Sequence, residues 1–166
     1  MIRYISTRGD APVLGFLDAA LAGLAVDGGL YVPNGWPALT SEDIANFRHQ
    51  SYVEVAWRVL SPFVGGEIDD IQLGRMLKKA YAGFEHTDVA PLSSLEDRHH
   101  LLELYHGPTF AFKDVALQFL GQIFSYELAR RNARVTIVGA TSGDTGSAAI
   151  RAFAGQPNVD IVILHP

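Results

Sequence analysis

The chain has 166 residues, 48% hydrophobic and 19% charged, enough apolar material for a substantial core and too much for a disordered chain. Thirteen Lys and Arg against 18 Asp and Glu leave a formal charge of −5 with no basic run, which argues against nucleic-acid binding. Cysteine is absent, so disulfides, thiolate metal sites and cysteine nucleophiles are excluded. No apolar stretch approaches the roughly 18 residues a membrane helix needs, and Met1–Asp10 contains no apolar signal-peptide core, so a cytoplasmic protein is expected.

In chain order, Phe16, Leu17, Ala20, Leu21 and Leu24 recur at helical spacing. Asp27-Gly28-Gly29 then turns the chain into a short strand, Leu30-Tyr31-Val32, before Pro33. Ser51 followed by Glu54 is a capping-box pattern opening a second helix, with Val53, Ala56, Trp57 and Leu60 on one face and an expected stop at Pro62. A third helix follows Asp69-Asp70, its stripe being Leu73, Met76, Leu77, Ala80 and Tyr81, with Gly83 past its end. Both stripes are expected to be core. This region, residues 1–84, reads as a mostly helical domain.

Beyond it the pattern becomes strand–helix alternation, over residues 85–166. Leu101–Leu104 reads as a strand and Asp114–Arg131 as a long helix apolar on several faces, with Arg130 and Arg131 at the negative end of its dipole and Asn132 to close it. Val135–Val138 reads as a strand of a parallel sheet covered on both faces. A helix from about Thr145 to Ala154 and a strand Val159–Leu164 follow. The order βαβαβ predicts an α/β fold with an open parallel sheet and right-handed crossovers.

Chemistry concentrates in two segments. Lys113 stands among Phe110, Ala111, Phe112 and Val115, and it opens a helix. Burial and the positive dipole end both favour the neutral amine, the form that condenses with an aldehyde cofactor. The alternative is a snorkelling lysine whose head reaches water. The second segment, Gly139-Ala-Thr-Ser-Gly-Asp-Thr-Gly146, matches neither G-x-G-x-x-G nor a P-loop, and no lysine follows its last glycine. Its hydroxyls (Thr141, Ser142, Thr145) and helix-N-terminal amides suit a carboxylate or phosphate, or the run is only a glycine-rich turn. Asp144 would repel an anion unless it faces a hydroxyl or a protonated nitrogen. Together the two segments suggest pyridoxal phosphate chemistry. Both are expected at the C-terminal edge of the sheet, where such folds bind ligands.

His106-Gly-Pro-Thr-Phe-Ala-Phe-Lys-Asp-Val-Ala-Leu-Gln118 and Gly139–Ala149 resemble the two signature blocks of the threonine synthase family. Ser6-Thr-Arg-Gly9 and Gly23-Leu-Ala-Val-Asp-Gly-Gly-Leu-Tyr-Val-Pro33 are similar to its opening. The resemblance implies the fold shared by tryptophan synthase β-subunit and cysteine synthase, with an added N-terminal helical domain. It also implies the last step of threonine biosynthesis, in which O-phospho-L-homoserine and water give L-threonine and phosphate. Lys113 would then be the Schiff-base lysine and a proton shuttle, with pyridoxal 5′-phosphate as cofactor. Thr141, Ser142, Gly143, Thr145 and Gly146 would grip the substrate carboxylate, and Asp144 and Phe112 would lie beside the cofactor. Phe112 and His106 are expected to shape the pocket without a chemical step, and Ser6-Thr7-Arg8 to anchor a terminal loop or meet substrate phosphate. His99, His100 and His106 match no standard metal-ligand spacing.

Family members are longer, so this chain is expected to be their amino-terminal part, ending inside the catalytic domain, without turnover by itself. It is expected to bind no membrane and to act as a monomer or homodimer. Other readings are another enzyme of the same fold, such as a threonine or serine dehydratase or a β-replacement enzyme, and a non-catalytic threonine-synthase-like protein.

Overall fold

The computed structural model describes residues 1–165, which form two compact units, 1–75 and 76–165. In the first, β1 (Tyr4–Ser6) pairs antiparallel with β2 (Tyr31–Pro33), Tyr4 opposite Pro33 and Ser6 opposite Tyr31. α1 (Phe16–Ala22) ends where Gly23 adopts φ 65°, and its first amides, Phe16 and Leu17, donate to the Glu67 carboxylate at 2.8 and 3.1 Å. A negative charge there complements the helix dipole and satisfies otherwise orphaned N–H groups.

α2 (Ser41–Asn46) opens with a capping box between Thr40 and Asp43 and runs into a 3₁₀ turn, Phe47–His49. α3 (Tyr52–Val64) opens with the expected one, the Ser51 amide donating to Glu54 at 2.7 Å. Two expectations for α3 do not hold. It passes through Pro62 and ends at Gly65, in the left-handed conformation at φ 64°. Pro62 forfeits one hydrogen bond near the helix end, while the final turn is held by Val64, 2% exposed, and by the Tyr4 hydroxyl donating to the Phe63 carbonyl at 2.9 Å. The stripe Val53, Ala56, Trp57 and Leu60 is half-buried rather than core.

α4 (Asp70–Tyr81) runs across the division between the units and begins at Asp69, whose carboxylate accepts from Gln72 N–H at 2.9 Å. Its stripe is buried as expected: Leu73, Met76, Leu77, Ala80 and Tyr81 are all core residues.

The second unit is mixed α/β, and its first strand differs from the expectation. β4 (His99–Leu102) folds back on β3 (Leu92–Glu96) as an antiparallel hairpin with a bulge at Ser94/Glu96. The Asp97-Arg98 turn between them makes a hairpin the shortest solution, whereas a parallel partner needs a crossover. Among the described residues only β5 (Val135–Ala140) and β6 (Val159–Leu164) pair in parallel, from Val135 opposite Val159 to Ala140 opposite Leu164.

α5 (Asp114–Arg131) and α6 (Asp144–Phe153) pack closely: Phe124 and Phe153 meet edge-on at 5.3 Å, and Gly121 lies against the Ala152 carbonyl. Asn132 closes α5 in the left-handed conformation, as expected. Near that end Glu127, fully buried, accepts from Arg130 Nε and Nη2, both at 2.7 Å. The strands are not covered on both faces within this chain, because Val138, Val162 and Leu164 form an exposed apolar face. Among the described residues no helix is long and apolar enough to cross a membrane.

Candidate active site

Lys113 is the N-cap residue of α5, so its side chain leaves the chain where the helix dipole is positive. The loop before it follows the β3–β4 hairpin and not a strand of the parallel sheet, contrary to the expected placement. The chain reverses sharply there: Phe110 N–H donates to the Gly107 carbonyl at 3.0 Å, and Phe110 adopts φ 59°, a conformation costly for a residue with a Cβ.

Lys113 is half-buried, with Nζ 4.2 Å from the centroid of the Phe112 ring. The dry enclosure expected from its apolar neighbours is an open cavity of about 500 Å³. Its walls are Leu104, Phe112, Val115 and Leu117, and Lys113 and Thr145 are its polar side chains. The enclosure is incomplete because Phe112 is 56% exposed and Thr145 also faces solvent, so they border the cavity without roofing it.

The Gly139–Gly146 run joins the C-terminal end of β5 to the first turn of α6, on the predicted strand-to-helix connection. Gly146 is buried, and a Cβ there would stand 2.8 Å from Thr141 Cγ2 and 3.0 Å from Ile163 Cγ2. Thr141 is tied to β6 through its amide, which donates to the Leu164 carbonyl at 3.1 Å. Gly143 is the N-cap residue of α6, and Asp144 lies exposed in the first helical turn. The loop serves two cavities: Thr145 borders the one with Lys113, while Thr141 and Ser142 border another of about 370 Å³ with Ala140, Leu164 and His165.

Sequence reasoning missed two carboxylates, Asp114, which directly follows Lys113, and Glu103, ahead of the loop that leads to it. Asp114 is 0% exposed and accepts from the Thr109 amide at 2.8 Å, the Thr109 hydroxyl at 2.9 Å and Gln118 Nε2 at 3.2 Å. Its one visible signal was a charge in the first turn of an apolar helix. Glu103 accepts from the Ser93 hydroxyl and lies 2.7 Å from His106 Nε2. Hydrogen bonds from Ser93, then His106 and Tyr105, hold the Glu103 carboxyl well down, at about 2. His106 stacks 4.6 Å from the Tyr105 ring, while its own ring nitrogen is committed to Glu103, so it supports the loop without bordering the Lys113 cavity.

His99 and His100 are separately engaged, His99 with Glu96 and His100 with Ser94. Ser6, Thr7 and Arg8 form an anchor. Ser6 Oγ donates to Asp27 Oδ1 at 2.8 Å, Thr7 Oγ1 accepts from Leu30 N–H at 3.0 Å, and Arg8 Nη1 donates to the Asp27 carbonyl at 2.9 Å. Desolvation raises the Asp27 carboxyl, but donors from Gly29, Ser6 and Asp10 outweigh it and leave the group below its ordinary value.

Residues 3–81 match a family model described as the threonine synthase N terminus. The threonine synthase of Pseudomonas aeruginosa is 54% identical over 99% of this chain, which spans 35% of that protein. A crystal structure of PLP-bound threonine synthase from Brucella melitensis superposes with a TM-score of 0.96 at 57% identity, covering 100% of this chain and 36% of that one. A protein named threonine synthase-like 2 from Rattus norvegicus is 43% identical over 98% of this chain and 34% of its own length. The chain thus spans about a third of the length of the relatives it matches. In sequence and in fold, the chain is similar to the amino-terminal part of threonine synthases.

Proposed function

We propose that the protein carrying this chain converts O-phospho-L-homoserine and water into L-threonine and phosphate, using pyridoxal 5′-phosphate held by Lys113. The observation that carries this reading is the pairing of one amine and one hydroxyl, Lys113 and Thr145, on one otherwise apolar cavity. The residues present fit such a cofactor. A primary amine meets its aldehyde, apolar walls with Phe112 suit a flat heteroaromatic ring, and hydroxyls and helix-N-terminal amides suit a substrate anion.

When bound, pyridoxal phosphate supplies an electron sink for negative charge developing at substrate carbon. Lys113 Nζ would hold the cofactor through its aldehyde carbon. Once freed, the amine would take one proton from substrate Cα and one from Cβ, deliver one to Cγ after phosphate has left that carbon, and return one to Cα. The hydroxyl of water would add at Cβ, and the remaining proton of water would go to the departing phosphate. Thr145, with Thr141, Ser142 and the backbone of Gly143 and Gly146, orients the substrate carboxylate. Asp144 and Phe112 would help to hold the cofactor beside Lys113.

The test is the intact protein with and without Lys113→Ala. The substitution is expected to remove or shift the visible absorption band of the bound cofactor and to cut phosphate release by about 10²–10⁴-fold or more. Identical spectra in both proteins, or no band in either, would overturn the reading. Product analysis separates the activity from that of a dehydratase, which forms a 2-oxo acid instead of threonine. A threonine-synthase-like protein without turnover would keep the band and release no phosphate.

A further inference from the structure

A carboxylate taken wholly out of water is unfavourable unless its oxygens are satisfied. Asp114 is such a carboxylate, and it directly follows the reactive lysine. Both donors of Thr109 converge on Oδ2, while Gln118, one turn along α5, donates to Oδ1. The loop is drawn so tightly onto this side chain that a Cβ at Gly107 would stand 2.5 Å from both Asp114 Cβ and Oδ2. The reversal at Phe110, in the left-handed region, lies within the same closed circuit from Gly107 to Asp114. The carboxylate also sits in the first turn of α5, where the dipole favours negative charge.

From this geometry we propose that Asp114 is the positioning residue for Lys113. Its carboxylate closes the loop of residues 107–114 and so fixes the direction in which the neighbouring amine enters the cavity. The substrate and cofactor do not touch it; it acts through the backbone that Lys113 shares. This inference rests on Lys113 being the cofactor lysine.

The experiment measures two things in the intact apoprotein: the rate at which pyridoxal phosphate is captured at Lys113, and hydrogen exchange of the amides of residues 109–113. In the capture, the lysine nitrogen bonds to the aldehyde carbon, the aldehyde oxygen leaves as water, and borohydride adds hydride to that carbon. The adduct is mapped by peptide mass. Asp114→Ala is expected to slow capture by about tenfold to a hundredfold, the scale of a misplaced reactive group, and to speed exchange in the loop. Asp114→Asn, which keeps an acceptor for Thr109, is expected to restore capture to within a few fold of the parent. A purely structural role would lower the melting temperature and leave the capture rate of folded Asp114→Ala unchanged, which would overturn the proposal.

Should Asp114→Ala not fold, Thr109→Val removes one of the donors and is expected to slow capture in the same direction; an unchanged rate there overturns the proposal equally. Lys113→Ala separates the two readings. If adduct still forms at the same rate elsewhere in that variant, the cofactor assignment fails and the positioning role falls with it; if adduct is lost in Lys113→Ala but its rate is unchanged in folded Asp114→Ala, only the positioning role fails.

Discussion

Gly146 shows why the glycines of the second motif are needed, for its reason is contact and not backbone freedom. An added methyl would lie 2.8 Å from Thr141 Cγ2 and 3.0 Å from Ile163 Cγ2, closer than ordinary van der Waals contact allows. Gly146→Ala is therefore expected to lose about 1–3 kcal/mol, the usual effect of overpacking, read as a lower urea midpoint at unchanged slope. A midpoint equal to the parent's would show that Thr141 moves aside freely. The glycine run was legible from its spacing, yet which glycine is sterically obligatory was not, because Ile163 is distant in sequence. Asp114 was equally illegible: a charge in a first helical turn is ordinary, and only the fold reveals that it is enclosed.

At the scale of elements, local codes were read well where they are self-contained. The capping box of α3 needs only Ser51 and Glu54, and it forms. Ser51→Ala is expected to cost about 1 kcal/mol, measured as a lower thermal midpoint, with Gly at that position costing only a few tenths. Gly121 sets two effects against each other. Replacing a mid-helix glycine by alanine gains about 1 kcal/mol of helix propensity. Here the new Cβ would meet the Ala152 carbonyl oxygen at 2.5 Å, and backbone cannot rotate out of the way. Packing is expected to win, so Gly121→Ala should destabilise by about 1–3 kcal/mol; a stabilised variant would show that α5 and α6 separate without penalty. Pro62 was misread for a related reason, since the burial of Val64 and the Tyr4 bond that hold the last turn are tertiary.

For the whole molecule, carboxylates govern the response to acid. Asp27, Asp43, Glu54, Glu103 and Glu127 are all held below their ordinary values, by desolvation outweighed by backbone and side-chain donors for Asp27, by Arg58 for Asp43, by Ser51 for Glu54, by Ser93 for Glu103 and by Arg130 for Glu127. A group depressed on folding contributes stability that is complete above its ordinary pKa and is lost as the pH falls through the lowered one. Stability is thus expected to be level from about pH 7 to 5 and to fall steadily below that. The Glu103 contribution in particular fades from about 4.5 to about 2. Melting temperatures across this range check the trend, and Glu103→Gln should shallow its most acidic part. A melting temperature indifferent to pH would mean that these bonds contribute nothing net.

What could be determined from the sequence alone was what depends on neighbours along the chain. That covers the caps, the buried stripe of α4, the strand–loop–helix that carries Gly139–Gly146, and the two motif blocks that resemble those of threonine synthases. The tertiary structure alone decided which partner β4 takes, how far Lys113 is enclosed, and that Asp114 is buried. Strand pairing and burial are set by residues that meet only after folding, and no periodicity along the chain records which surfaces will face each other.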